Sequence, residues 1–333
     1  MINRIERNLA EITCVAVLFI VFYFTIINDR TVIGNLFIPQ SLLTFNTIFL
    51  SVLIEALPFV LVGVFIAGTI QVFVTEEHIK KLIPKNRILA ILMSCFIGAL
   101  FPACECGIVP IVRRLVSKGV PIFAGVGFLL TGPLINPIVI FSTYVAFGQD
   151  LKIALLRMFL GLIIALIITA IISVFFKRNQ LKRSSITNEF NNITNRFPLT
   201  MRIKAMFFHS VDEFFDVGKY LIIGGVLAAF VQTYISTNVL LGIGEGVFYS
   251  TAIMMGLAYL LSLCSEADAF IGASFRHIFP ETSLLGFLIY GPMLDLKNTV
   301  MMMAVFRLRF VMVLMVVITV TVFGVLMIVH PWI

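Results

Sequence analysis

Nine apolar stretches succeed one another along this chain, and no other feature constrains its fold as strongly. They are Leu9–Ile27, Phe45–Val74, Ile88–Ala103, Val120–Gly148, Leu151–Phe176, Ala205–Ile235, Val247–Cys264, Ser283–Thr299 and Val300–Val329. A helix rises about 1.5 Å per residue, so roughly 20 apolar residues cross the hydrocarbon core of a bilayer. No stretch alternates polar and apolar residues as a strand would, and lipid leaves an open backbone unsatisfied. The expected fold class is therefore all-α, a polytopic membrane helical bundle. Only 12% of the residues are charged against 60% hydrophobic, too few to wet the surface of a soluble domain. The lipid bilayer is the first partner this composition implies.

The net charge of +7 does not point to nucleic acid, because the basic residues flank bilayer-length segments. They read instead as a topological signal that holds Lys and Arg on the cytoplasmic side of a plasma membrane. Five cysteines, an odd number, all sit in apolar surroundings, which argues against a secreted disulfide framework. No small-residue cleavage site follows Leu9–Ile27, so that stretch reads as a span rather than a removable leader.

The polar segment 177–204 divides the chain, and its halves resemble each other. Gly127-Phe-Leu-Leu-Thr-Gly-Pro-Leu-Ile-Asn136 matches Gly286-Phe-Leu-Ile-Tyr-Gly-Pro-Met-Leu-Asp295 at an offset of 159 residues. Glu55, Gly63 and Gln71 match Asp216, Gly224 and Gln232 at an offset of 161. The expected organisation is an extra N-terminal helix in 1–44, a first repeat in 45–176, a cytoplasmic linker in 177–204 and a second repeat in 205–333. Arg4 and Arg7 place the N-terminus inside, and Lys80, Lys81, Lys85 and Arg87 return the chain there. An inside linker then requires residues 88–118 to form a re-entrant hairpin tipped at Cys104–Gly107. Each half makes three crossings, so the repeats are expected to be inverted, a common plan of secondary transporters.

The residues that bear chemistry lie where these segments should break. In Cys104-Glu105-Cys106-Gly107, preceded by Pro102, two thiols flank a carboxylate; soft sulfur suits a thiophilic solute or metal, and the competing reading is two inert cysteines at a tight turn. Cys264, Glu266 and Asp268 form the second-half counterpart, and the two sets are expected to converge at mid-depth. Gly132-Pro133 with Asn136, and Gly291-Pro292 with Asp295, should interrupt helices and free carbonyls or half-helix ends for a solute. Glu55 and Asp216 are matched acids suited to a proton or ion relay, and Arg157 lies in an apolar run where it needs an acid. Whether Cys104, Cys106 and Cys264 bind a metal is open, since no nearby His completes a zinc set. No phosphate-cradling loop and no Ser-His-Asp set is present, so no enzyme activity and no cofactor are expected.

Pro102-Ala-Cys104-Glu-Cys106-Gly107-Ile-Val-Pro110 and Gly132-Pro133-Leu-Ile-Asn136-Pro137 resemble the predicted permeases of the ArsP/YraQ type over roughly residues 45–329. The resemblance implies a cytoplasmic-membrane permease and selects Cys104, Cys106, Gly107, Pro110, Gly132, Pro133 and Asn136. Some members are associated with efflux of trivalent organoarsenicals, which thiols would suit. It also implies a second membrane subunit. A homo-oligomer is a further arrangement open to such a chain. The expectation is an exporter of a small, thiophilic solute; a zinc-like metal permease or channel subunit and a membrane thiol redox protein are the alternatives.

Overall fold

A computed structural model describes residues 40–74, 84, 86–101, 104–176, 179–182, 199–234 and 246–332. The expected N-terminal helix Leu9–Ile27, most of the 177–204 linker, Cys14, Pro102 and Ala103 lie outside the described residues. Twelve α-helices make up nearly all of the rest. They are α1 (Gln40–Phe73), α2 (Arg87–Leu100), α3 (Glu105–Ser117), α4 (Ile122–Ile135), α5 (Pro137–Ala146), α6 (Leu151–Phe175), α7 (Leu199–Tyr234), α8 (Val247–Leu261), α9 (Ser265–Ser274), α10 (Glu281–Met293), α11 (Leu296–Val305) and α12 (Leu308–Val329). Among the described residues, five segments are long and apolar enough to cross a membrane: α1, α4 with α5, α6, α7 and α12 with the turn that follows it. The chain is an all-α polytopic membrane bundle.

Two very long helices lie side by side. α1 and α7, of 34 and 36 residues, measure about 50 Å each at 1.5 Å per residue. Small residues let them approach closely. Gly68 faces Ser210 and Met206, and Gly225 faces Phe49, so the two run antiparallel. The rings of Phe65 and Phe207 pack edge to face, 5.8 Å apart. The same logic joins α2 to α4, where Gly98 meets Thr131 and Phe128, and α8 to α10, where Gly286 meets Thr251 and Met255.

α2 and α3, of 14 and 13 residues, are each about 20 Å long, too short to cross some 30 Å of hydrocarbon. α2 ends at Leu100 and α3 starts from Cys104 as its N-cap; α2 packs on α4 and α3 on α1 and α4 rather than along each other. Glu105, Cys106 and Gly107 are therefore the first helical turn, not a broken loop as the flanking Pro and Gly suggested. α8 and α9 repeat the arrangement around Ser262–Cys264, where Ser262 takes a left-handed conformation (φ 49°) and Cys264 caps α9.

The breaks after the Gly-Pro pairs also fall later than expected. Pro133 and Pro292 lie inside α4 and α10. In the first half the chain leaves the helix at Asn136 (φ −53°, ψ 137°), because a residue before proline avoids the helical region and Pro137 is suited to start the next helix. In the second half Leu294 is extended (φ −154°), and Asp295 caps α11 by accepting from Asn298 N at 2.6 Å. The ninth apolar stretch, expected to start at Val300, belongs partly to α11; the turn into α12 is at Phe306–Arg307.

The two ends of the bundle differ in charge. One end gathers Lys118, which donates to Gln71 O at 2.9 Å, Arg202, which donates to Val72 O at 3.2 Å, and the segment 180–182 paired with Val305–Arg307. Residues 199–204, assigned above to the linker, open α7 at this end. The other end holds the pairs Arg276–Asp150 at 2.6 Å and Lys152–Glu281 at 2.7 Å.

Candidate functional site

Four short helices begin inside the bundle: α3 at Cys104, α5 at Asn136, α9 at Cys264 and α11 at Asp295. Each N-terminus turns free backbone N–H groups and a partial positive charge toward the interior. Buried acids stand at three of these starts. Glu105 opens α3, Asp268 lies in the first turn of α9, and Asp295 caps α11; each is no more than 2% exposed. A charge costs several kcal/mol at membrane depth unless it is compensated, so this placement is an electrostatic arrangement rather than chance.

Lys297 ties the two halves together. Its Nζ lies 3.0 Å from Glu105 Oε1 and 3.4 Å from Asp295 Oδ2, and it donates to Ser262 O at 3.1 Å. Ser262 Oγ donates to Asp295 Oδ2 at 2.9 Å and accepts from Lys297 N at 3.1 Å. The tip of the first hairpin, the tip of the second and the α10–α11 break thus meet at one ammonium group. Neither Lys297 nor Ser262 was singled out from the sequence. The signal for Lys297 is its place two residues after Asp295, at a helix start where a cation is unfavourable until Glu105 is brought opposite.

Arg157 is the second internal cation and is fully buried. It donates to Thr143 Oγ1 at 2.6 Å and to Ser265 O at 3.2 Å, while Asp268 and Glu266 supply the compensating field. The expectation that Arg157 needs an acid thus takes a looser form, with hydroxyl and carbonyl contacts in place of a direct carboxylate pair. Asp268 packs against Gly291 of the second Gly-Pro pair, where an added Cβ would come within 2.7 Å of Asp268 Oδ2. That close approach is a reason for glycine at this position.

The thiols share these neighbours. Cys104 and Cys106 lie within hydrogen-bonding reach of each other, and both adjoin Glu105 in the chain. Cys264 accepts from Ala267 N at 3.4 Å and lies beside the half-buried Glu55 of α1. The two hairpin tips are therefore adjacent, and Glu55, Glu105, Asp268 and Asp295 face them from four helices. Asp216 does not join them. It pairs with Lys219 at 2.9 Å and lies 3.9 Å from Arg113, near the far end of α3. Its neighbour Glu213 is the buried partner of both Arg113 (2.8 Å) and Arg114.

The remaining motif residues serve packing. Gly107 lies against Phe59 O and Gly63, Gly132 against Ile108 and Gly98, and Asn136 caps α5 by accepting from Ile138 N at 2.9 Å. Pro110 is buried within α3 and Pro133 within α4. Among the described residues no three His, Cys, Asp or Glu side chains meet in metal-holding geometry. Several buried polar atoms have no hydrogen-bond partner: Glu105 Oε2, both oxygens of Asp268, Ser265 Oγ and Asn298 Oδ1. Groups of this kind at membrane depth ordinarily face water, a proton or a solute.

A polytopic helical protein whose short helices start inside the bundle around buried charges has the build of a membrane transport protein. Comparison with known proteins agrees. The chain belongs to the ArsP_1 family of predicted permeases, whose family model matches residues 41–330. The UPF0718 protein YcgR of Bacillus subtilis (strain 168) is 51% identical over 275 residues, which are 83% of this chain and 93% of that protein. A protein of Streptococcus mutans described as a putative two-component membrane permease complex subunit is 42% identical over 275 residues, 83% of this chain and 91% of its own length. No solved structure matches the chain.

Proposed function

We propose that this permease is a secondary transporter that moves a small thiophilic solute through the cluster of Cys104, Cys106 and Cys264 with Glu105, Asp268, Asp295 and Lys297. The observation that carries the reading is the placing of thiols at the starts of α3 and α9 beside buried carboxylates, of which Glu105 Oε2 and both Asp268 oxygens have no hydrogen-bond partner. A trivalent organoarsenical exported from the cell is the solute class that fits soft sulfur best. Glu55, close to Cys264, is the candidate for carrying a proton. Two matched, inverted halves are part of the proposal. Its support is that helix lengths of 34, 14, 13, 14, 10 and 25 residues are followed by 36, 15, 10, 13, 10 and 22. The end bearing Lys118, Arg202 and Arg307 is assigned to the cytoplasm of a plasma membrane on its positive charge. Because the Streptococcus relative is described as part of a two-component complex, a second membrane subunit is proposed here too.

The test is a deletion strain challenged with toxic metals, metalloids and organoarsenicals, then complemented by this chain alone and with its neighbouring membrane subunit. Cys104→Ser with Cys106→Ser should abolish rescue at normal membrane levels. Full rescue by that variant would remove the thiols from the mechanism. A soft metal cation is the second reading, favoured by the unpartnered carboxylate oxygens; isotope flux of zinc or cadmium into vesicles separates the two.

A further inference from the structure

The four short helices that start inside the bundle are not buried alike. α3 and α11 are enclosed: α3 buries eleven of its 13 residues and α11 six of its 10. α5 and α9 are open: α5 buries only Val139 and Thr143, and α9 only Ser265, Asp268, Ala269 and Gly272. The difference crosses the sequence match, since α3 corresponds to α9 and α5 to α11. Each half therefore supplies one covered and one uncovered helix.

The α1–α7 pair is what covers them. Gly63 of α1 meets the backbone of Gly107 in α3, and Gly224 of α7 meets Lys297 Cα of α11, where an added Cβ would come within 3.0 Å. Gly63 and Gly224 are a matched pair, so both halves use the same glycine to seat a helix start. A latch holds this side, in which Glu213 of α7 is paired with Arg113 and Arg114 of α3. By contrast, α1 does not pack along α5, nor α7 along α9; only Glu55 reaches Cys264 at the α9 cap. α5 and α9 pack on each other instead and leave Ile138, Phe141, Val145 and Phe270 exposed.

We infer that the uncovered face of α5 and α9 is a second seat for the α1–α7 pair, with Gly63 received opposite Ile138 and Gly224 opposite Glu266–Ala267. Those positions are where the sequence match carries the Gly224–Lys297 and Gly63–Gly107 contacts of the other half. The pair rocks between the two seats. The structure is the state closed at the Lys118 end, and breaking the Glu213 latch releases it. Glu213 is matched by the apolar Val52, so no corresponding ion pair restrains the other seat. The inference rests on the reading of two matched halves and of transport through the hairpin tips.

A photoreactive benzoyl-phenylalanine placed at Ile138 of the full chain in native membranes tests it. Irradiation followed by peptide mapping should give a crosslink to α1 around Val62–Phe65. In Glu213→Gln, which leaves two buried arginines without their acid, the yield should rise on the order of tenfold. A second reporter at Ala267 should reach α7 near Gly224 and needs no latch variant. Crosslinks to lipid alone, or to a different polypeptide that occupies the face, would overturn the inference. The assay reads position, not transport. A Cys104→Ser, Cys106→Ser protein that transports normally and still crosslinks refutes the proposed solute site while upholding the motion. Transport without either crosslink refutes the motion alone.

Discussion

Replacing Lys297 with Met removes the ammonium that joins Glu105 to Asp295 while keeping most of its volume. In the structure that group lies 3.0 and 3.4 Å from the two carboxylates and also donates to Ser262 O. Its side chain is 5% exposed, so water cannot take its place without opening the bundle. Removing one partner of a buried ion pair leaves an uncompensated charge and costs about 3–5 kcal/mol. For a protein of this size that corresponds to a fall in thermal midpoint on the order of 5–10 °C. Size-exclusion chromatography of detergent-purified protein after heating measures it. Glu105→Gln added to Lys297→Met removes one stranded charge and should restore about 1–3 kcal/mol, a coupling that independent sites do not show. A Lys297→Met protein as stable as the parent, or a double variant weaker by the sum of the two losses, would refute the claim that Lys297 neutralises Glu105.

Four further outcomes follow from the same geometry. Gly63→Ala places a methyl group on the backbone of Gly107, which cannot yield as a side chain can; it should lower stability by about 1–3 kcal/mol in the same heating assay. Gly291→Ala presses on Asp268 Oδ2 at 2.7 Å and should reduce rescue of the deletion strain while membrane levels stay near normal. Arg157→Met strands the field around Asp268 and should destabilise the protein, with partial recovery on adding Asp268→Asn, read as the return of a single chromatographic peak. Arg276→Ala breaks a pair with Asp150 whose side chains are 37% and 23% exposed, and should cost less than about 1 kcal/mol, a difference chemical denaturation in detergent can resolve.

Much of this architecture was legible in the sequence because it is written in hydropathy and in the residues that punctuate it. Apolar runs marked the long helices, and the short runs around 88–118 and 247–275 marked the hairpins. What remained hidden was hidden for physical reasons. Pro and Gly report strain but not its position within a turn or two: Pro133 and Pro292 are absorbed near the ends of α4 and α10, and the chain breaks where Pro137 or the Asp295 cap forces it. Pairing across the bundle was hidden too. Glu213 and Asp216 sit in one acidic stretch of α7, yet one is buried between two arginines and the other is half exposed, a distinction set by which face of the helix meets α3. Lys297 shows the same limit, since its partner Glu105 stands nearly two hundred residues away in the chain.

The Lys297 pairing has a consequence for anything that binds beside it. Lys297 stands between two carboxylates, Glu105 and Asp295, and Arg157 faces two more, Asp268 and Glu266, so acids outnumber cations at this centre. An arriving solute has to exchange partners with an ammonium already in place, so selectivity becomes a competition against a tethered rival rather than a fit into a waiting void.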